Sequence, residues 1–155
     1  MIRNRIFLSF ILLLPLTVFC QVYINLPKKQ VRSALEKQKA ANSTINVLLT
    51  ETDTSLHYSV RDKKMSATDF IYIFEDNKCK AEIVNAGCDS CFYKYIDNAL
   101  NRPKLGWRKI KENVYISSFS KKMMLEIPPH NTPRSFIIRR MKWNRQVYNT
   151  LLNSR

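Results

Sequence analysis

Apolar positions along the chain fall into two periods, and the change from one to the other marks the predicted elements. Ile6 to Phe19 is an apolar stretch broken only by Ser9, Pro15 and Thr17. From Pro27 to Ala41, Val31, Ala34, Leu35 and Gln38 share one face at helical spacing, with Lys and Glu opposite and Asn42 as a stop. Alternation then takes over. Ile45 to Thr50 and Leu56 to Val60 read as strands with Glu51 to Ser55 as the turn. Phe70 to Phe74 is a continuous apolar and aromatic run, too short for a helix, and predicts a central strand buried on both faces. Glu75 to Lys78 is a turn, and Cys79 to Val84 returns as the partner strand, ended by Asn85-Ala86-Gly87.

Cys88 to Asn101 carries the strongest helical pattern. Phe92, Tyr95, Ile96, Ala99 and Leu100 recur at i, i+3, i+4, i+7 and i+8, and Asp89 sits where the helix dipole favours a carboxylate. Pro103 enforces the exit. Trp107 to Ile110, Val114 to Phe119, Lys121 to Ile127 and Ser135 to Trp143 then predict an antiparallel meander, with Pro128, Pro129 and Pro133 in an irregular loop before its last strand. Asn144 to Asn153 predicts a short closing helix with Trp143, Val147 and Leu151 facing inward. The order helix, strands, helix, strands predicts one α+β domain, a mostly antiparallel sheet with two main helices packed on one face. Trp107 and Trp143 are then packing residues. The sequence shows no internal repeat.

The leading segment changes the expected address. Arg3 and Arg5 form a positive n-region, the apolar stretch follows, and Val18 and Cys20 place small residues before a cut at Gln21. Residues 1–20 are therefore read as a signal peptide and 21–155 as the working domain, exported to the periplasm or secreted. Fourteen apolar residues would reach roughly 21 Å as a helix, short of the ~30 Å hydrocarbon core. Phe19 is too bulky for the position before a lipidated Cys20.

Charge changes the expected partner. The 155 residues carry 26 basic and 12 acidic side chains. Residues 21–101 hold 11 basic and 10 acidic, whereas 102–155 hold 13 basic and 2 acidic. A cationic surface favours an anionic partner, and Arg134, Arg139, Arg140, Lys142 and Arg145, about the last strand, are the candidates to hold an anionic envelope surface. A protein partner is the alternative class. No aromatic-basic motif of a nucleic-acid module is present.

Candidate chemistry is sparse. Two glycines exclude a glycine-rich phosphate loop or a dinucleotide fingerprint. No Ser stands in an elbow motif and no carboxylate pair stands out as acid and base. His57 and His130 are the only histidines, and Cys79, Cys88 and Cys91 lack the spacing of a zinc site, so no metal and no cofactor is expected. Those three cysteines are the disulfide candidates of the exported chain, and all three pairings are open. Gly87-Cys88-Asp89-Ser90-Cys91 places a C-x-x-C at the start of a helix, where the dipole and free backbone N–H groups favour thiolate.

In its order of strand, C-x-x-C and helix, this segment resembles thioredoxin-like proteins. Ile127-Pro128 stands 37 residues after Cys91, where those proteins carry a cis-proline. The resemblance implies a thiol-disulfide oxidoreductase with Cys88 attacking and Cys91 resolving. The chain departs from the pattern in having no aromatic residue before Cys88 and no clean β-α-β unit before residue 70. From Phe70 to about Met141 it also resembles short exported proteins of Bacteroides-type bacteria, through an aromatic strand ending near Cys79, the following helix, Trp107 and the closing strands. That likeness implies an exported α+β domain and no particular activity. The leading expectation is a non-enzymatic binding or interaction domain of the cell envelope, with the oxidoreductase as the alternative.

Overall fold

A computed structural model describes residues 22–41, 46–61, 66–129 and 134–154. The signal segment, Asn42, Ile45, His130 and Pro133 lie outside the described residues. Helix α1 spans Lys28–Ala41 and is followed by strands β1 (Asn46–Glu51), β2 (Ser55–Arg61), β3 (Ala67–Glu75) and β4 (Lys78–Asn85). Helix α2 (Asp89–Leu100) leads to β5 (Arg108–Lys111), β6 (Val114–Ile116), β7 (Met123–Glu126) and β8 (Ser135–Arg140), and α3 (Arg145–Asn153) closes the chain.

The eight strands form one sheet in the order β1-β2-β3-β4-β8-β7-β6-β5, and every pair is antiparallel. The topology is one unit used twice. A helix followed by a four-stranded meander is repeated, and the last strand of each unit, β4 and β8, pairs with the other. Turn chemistry sets the register locally. Asp76 and Asn77 both have positive φ, 49° and 57°, the conformation that a tight two-residue hairpin needs and that Asp and Asn tolerate.

The main core lies between one face of the sheet and the inner faces of α1 and α2. Val31 and Leu35 of α1 and Phe92, Ile96 and Ala99 of α2 join Leu56, Tyr58, Phe70, Tyr72, Val84, Phe136 and Ile138 in one buried cluster. Both main helices therefore sit on the same face, as the pattern predicts. A second, smaller cluster forms on the reverse face, where α3 packs Tyr148 and the preceding Trp143 against Ile110 and Ile116.

Three expectations are corrected. The Phe70–Phe74 run is not buried on both faces: Phe70, Tyr72 and Phe74 face the core, Ile71 is half-buried and Ile73 is exposed. The cause is that α3 covers the reverse face only at the β5–β7 end. Val147 does not face inward but is 47% exposed, and Tyr148 takes its place against Trp143. The predicted strands at Val114–Phe119, Lys121–Ile127 and Ser135–Trp143 are shorter, because Ser117 to Lys122 is spent on a turn and Met141 to Asn144 on the approach to α3.

Candidate functional site

The C-x-x-C stands at the junction of β4 and α2. Gly87 brings the chain there against β3, where a Cβ at Gly87 would collide with the backbone carbonyl of Ala67. Cys88 is the N-cap of α2, with extended backbone, and its Sγ accepts a hydrogen bond from the Cys91 backbone N–H at 3.1 Å. The Ser90 hydroxyl lies 3.2 Å from the same sulfur. Sulfur thus replaces the Ser, Thr or Asp oxygen that commonly caps a helix. Cys88 and Cys91 are joined as a disulfide with Cα atoms 5.1 Å apart, the local one of the three pairings. Among the described residues Cys79 is the free thiol, fully buried in the main core, and burial, with the Glu82 charge second, pushes its pKa up to about 12. A thiol so placed is chemically inert at neutral pH.

A cavity of about 690 Å³ opens beside this turn, between α2 and the exit of β7. Phe92, Tyr93, Ile96 and Leu100 form one wall, and Tyr115, Ile127 and Pro128 line it as well. Ile127-Pro128 therefore lies on the same cavity as the two residues that follow Cys91. Arg134 stands at its edge, with Nε 2.9 Å from Asp89 Oδ1, Nη1 donating to the Tyr93 hydroxyl at 2.8 Å, and the guanidinium over the Phe92 and Tyr93 rings.

The five basic residues singled out in the sequence divide between the two ends of β8. Arg134 precedes the strand and is held by Asp89. Arg139 follows it by five positions, about 17 Å of extended strand at ~3.4 Å each. Arg139 turns to the reverse face and is paired with Glu126. Arg140, Lys142 and Arg145 lie together at the far end, and the β6–β7 turn adds Lys121 and Lys122, which the sequence did not single out.

That turn is tightly built. Met123 N–H donates to Ser117 Oγ, Ser117 N–H to the Met123 carbonyl, and the Tyr148 hydroxyl to the Ser117 carbonyl. Met141 N–H donates to the Lys122 carbonyl at 2.7 Å, which locks the turn to the exit of β8. Phe119, half-buried at its tip, lies between the Lys122 ammonium at 5.4 Å and the Arg145 guanidinium at 4.8 Å from the ring centre. Beneath it Tyr148 packs edge-on at 5.5 Å, with Trp143 against Tyr148.

Electrostatically this end is one-sided. Among the described residues, no carboxylate pairs with Lys121, Lys122, Arg140, Lys142 or Arg145. Helix α3 starts with Arg145 and has no acidic residue in its first turn, so the positive end of its dipole adds to the same field. The edge strand β5 extends it with exposed Arg108, Lys109 and Lys111. Charges on an open edge also block pairing with another sheet.

The remaining candidates carry less. His57 is exposed on β2, its Nε2 3.1 Å from Ser55 Oγ. Trp107 donates Nε1–H to the Ala99 carbonyl at 2.9 Å and packs on the core. No group of three His, Cys, Asp or Glu residues with metal-holding geometry occurs among the described residues. No helix among them is long and apolar enough to cross a membrane. Comparison of the chain with family models, with curated proteins and with solved structures finds no match.

Proposed function

We propose that the protein is an exported, non-enzymatic binding domain of the cell envelope whose basic end holds an anionic surface. The observation that carries this reading is the contrast along β8. Arg134 and Arg139 are each neutralised by a carboxylate, whereas Arg140, Lys142 and Arg145, with Lys121 and Lys122, meet none among the described residues. A cluster of unpaired cations raises the local concentration of anions and speeds their encounter. Export rests on the Met1–Cys20 pattern.

The test is equilibrium binding over a salt series to dextran sulfate and to phosphatidylglycerol vesicles. Binding at low salt that weakens as salt rises, and weakens further when Arg140, Lys142 and Arg145 are changed to Gln, is the expected result. No binding at low salt, or binding indifferent to those changes, contradicts the reading.

A second reading is favoured by one specific observation, the sulfur cap of α2. In a reduced protein, the N–H and hydroxyl donors at Cys88 Sγ would stabilise thiolate there. Cys88 would attack a substrate disulfide, forming a mixed disulfide and releasing one substrate thiolate. Cys91 thiolate would then displace the second substrate sulfur from Cys88 and close the Cys88–Cys91 bond. The substrate gains two electrons and the pair loses two. Reduction of a protein disulfide by the reduced protein, lost in Cys88→Ser while the fold is kept, supports this reading; inertness of the reduced pair contradicts it.

A further inference from the structure

The basic end differs from a simple cationic patch in carrying apolar side chains at its centre. Phe119 is half-buried at the tip of a rigid turn, and half-buried Met141 is tied to that turn through the Lys122 carbonyl. Lys122 and Arg145 lie over the Phe119 ring, and Lys121, Arg140 and Lys142 adjoin them along the chain. From this arrangement we infer that the β6–β7 turn and the start of α3 form a docking tip for a phospholipid bilayer with anionic head groups, with Phe119 entering the interface. The inference rests on the proposed basic-end reading and narrows its partner to one class.

The mixture of groups favours a bilayer. A soluble polyanion satisfies cations and gives a half-buried aromatic ring nothing. A bilayer interface takes both, because aromatic rings settle at head-group depth while Lys and Arg side chains reach phosphate. Preorganisation favours the same occupant. The ring already stands between two cations and on Tyr148, so docking does not need to order the turn. At the other end of β8 the cation Arg134 is already closed onto Asp89 and Tyr93.

The experiment uses vesicles of phosphatidylcholine alone, vesicles of phosphatidylcholine with phosphatidylglycerol, and dextran sulfate as a polyanion without an interface. The protein should bind the mixed vesicles and not phosphatidylcholine alone. Phe119→Ala should weaken vesicle binding about tenfold while leaving dextran sulfate binding unchanged. Each of Arg140→Gln, Lys142→Gln and Arg145→Gln should weaken vesicle binding about fivefold. Phe119→Trp provides a second readout that keeps an aromatic ring in place. Its emission, over that of Trp107 and Trp143, should shift to the blue on mixed vesicles and not on dextran sulfate. Binding to dextran sulfate without binding to vesicles, or vesicle binding indifferent to Phe119 with no blue shift, overturns the bilayer assignment and leaves the basic-end reading standing. Failure to bind either probe at low salt overturns both.

Discussion

The Arg145 guanidinium lies over the Phe119 ring, 4.8 Å from its centre, and so joins the first residue of α3 to the tip of the β6–β7 turn. An exposed cation–π contact of this kind is worth only ~0.5–1 kcal/mol. Arg145→Gln should therefore change the unfolding free energy by less than about 1 kcal/mol, as should Arg140→Gln and Lys142→Gln, which remove exposed unpaired charges. Urea unfolding of the three variants checks this. A loss well above that would assign the basic residues to folding instead of binding.

Glu82 predicts a pH-dependent stability. It is 2% exposed on the core face of β4, its Oε2 has no hydrogen-bond partner, and burial raises its pKa from 4.5 to about 7. The Arg102 charge and the Tyr23 backbone N–H only partly offset that rise. The folded state holds the proton more tightly than the unfolded chain. Its stabilisation is thus complete below pH 4.5, falls as pH rises toward about 7, and is lost above that. The difference corresponds to roughly 3 kcal/mol. Urea midpoints at pH 5 and pH 8 should differ in the wild type, and the gap should narrow in Glu82→Gln, which carries no titrating proton. An equal gap in both proteins contradicts the assignment.

The two thiols of the reduced C-x-x-C should not react alike. Cys88 Sγ receives the Cys91 N–H and lies beside the Ser90 hydroxyl, so iodoacetamide should modify Cys88 ahead of Cys91 near neutral pH. Cys79 should react only on unfolding. Because the Cys88–Cys91 bridge closes a very short loop, its removal should cost about 2 kcal/mol, at the low end for a disulfide. Peptide mass mapping over time reads the order of modification, and preferential labelling of Cys91 would refute the capping argument.

Gly87 and Gly106 should differ sharply. Gly87→Ala forces a Cβ into the Ala67 carbonyl and should cost ~1–3 kcal/mol through overpacking. Gly106 has φ of 59°, and a Cβ there would meet Ser118 Cβ at an ordinary contact distance of 3.5 Å, without a clash. Asn tolerates that backbone, so Gly106→Asn should cost less than about 1 kcal/mol. Denaturant midpoints of the two variants test the contrast.

What the sequence made legible was local. The spacing of Val31, Leu35 and Gln38, or of Phe92, Ile96 and Ala99, reports a single amphipathic face, and both helices formed where the spacing predicts. The Asp76-Asn77 turn and the alternation in Leu56 to Val60 fixed neighbouring strands in the same way. Pairing of β4 with β8 was not legible, because it joins residues fifty or more positions apart and leaves no local signature. The doubled unit was hidden for the same reason: its halves share topology and not residues. Phe70 to Phe74 was misread as doubly buried because an apolar run records hydrophobicity, not whether a helix covers the second face. Of the basic site, Arg140, Lys142 and Arg145 were legible as a charge-rich stretch. Lys121 and Lys122 were missed because only the β7–β8 pairing brings them alongside, and Phe119 because it was assigned to a strand instead of a turn.

The most direct test of the central claim compares two variants with the same loss of charge. One changes Arg140, Lys142 and Arg145 to Gln at the basic end, and the other changes the exposed Lys37, Lys39 and Lys94 to Gln on α1 and α2. Affinity for phosphatidylglycerol vesicles and for dextran sulfate is measured at low salt. If the end of β8 is the binding surface, the first variant loses most of its affinity and the second keeps it. Equal losses in the two would mean that net charge alone governs binding, and would contradict the account.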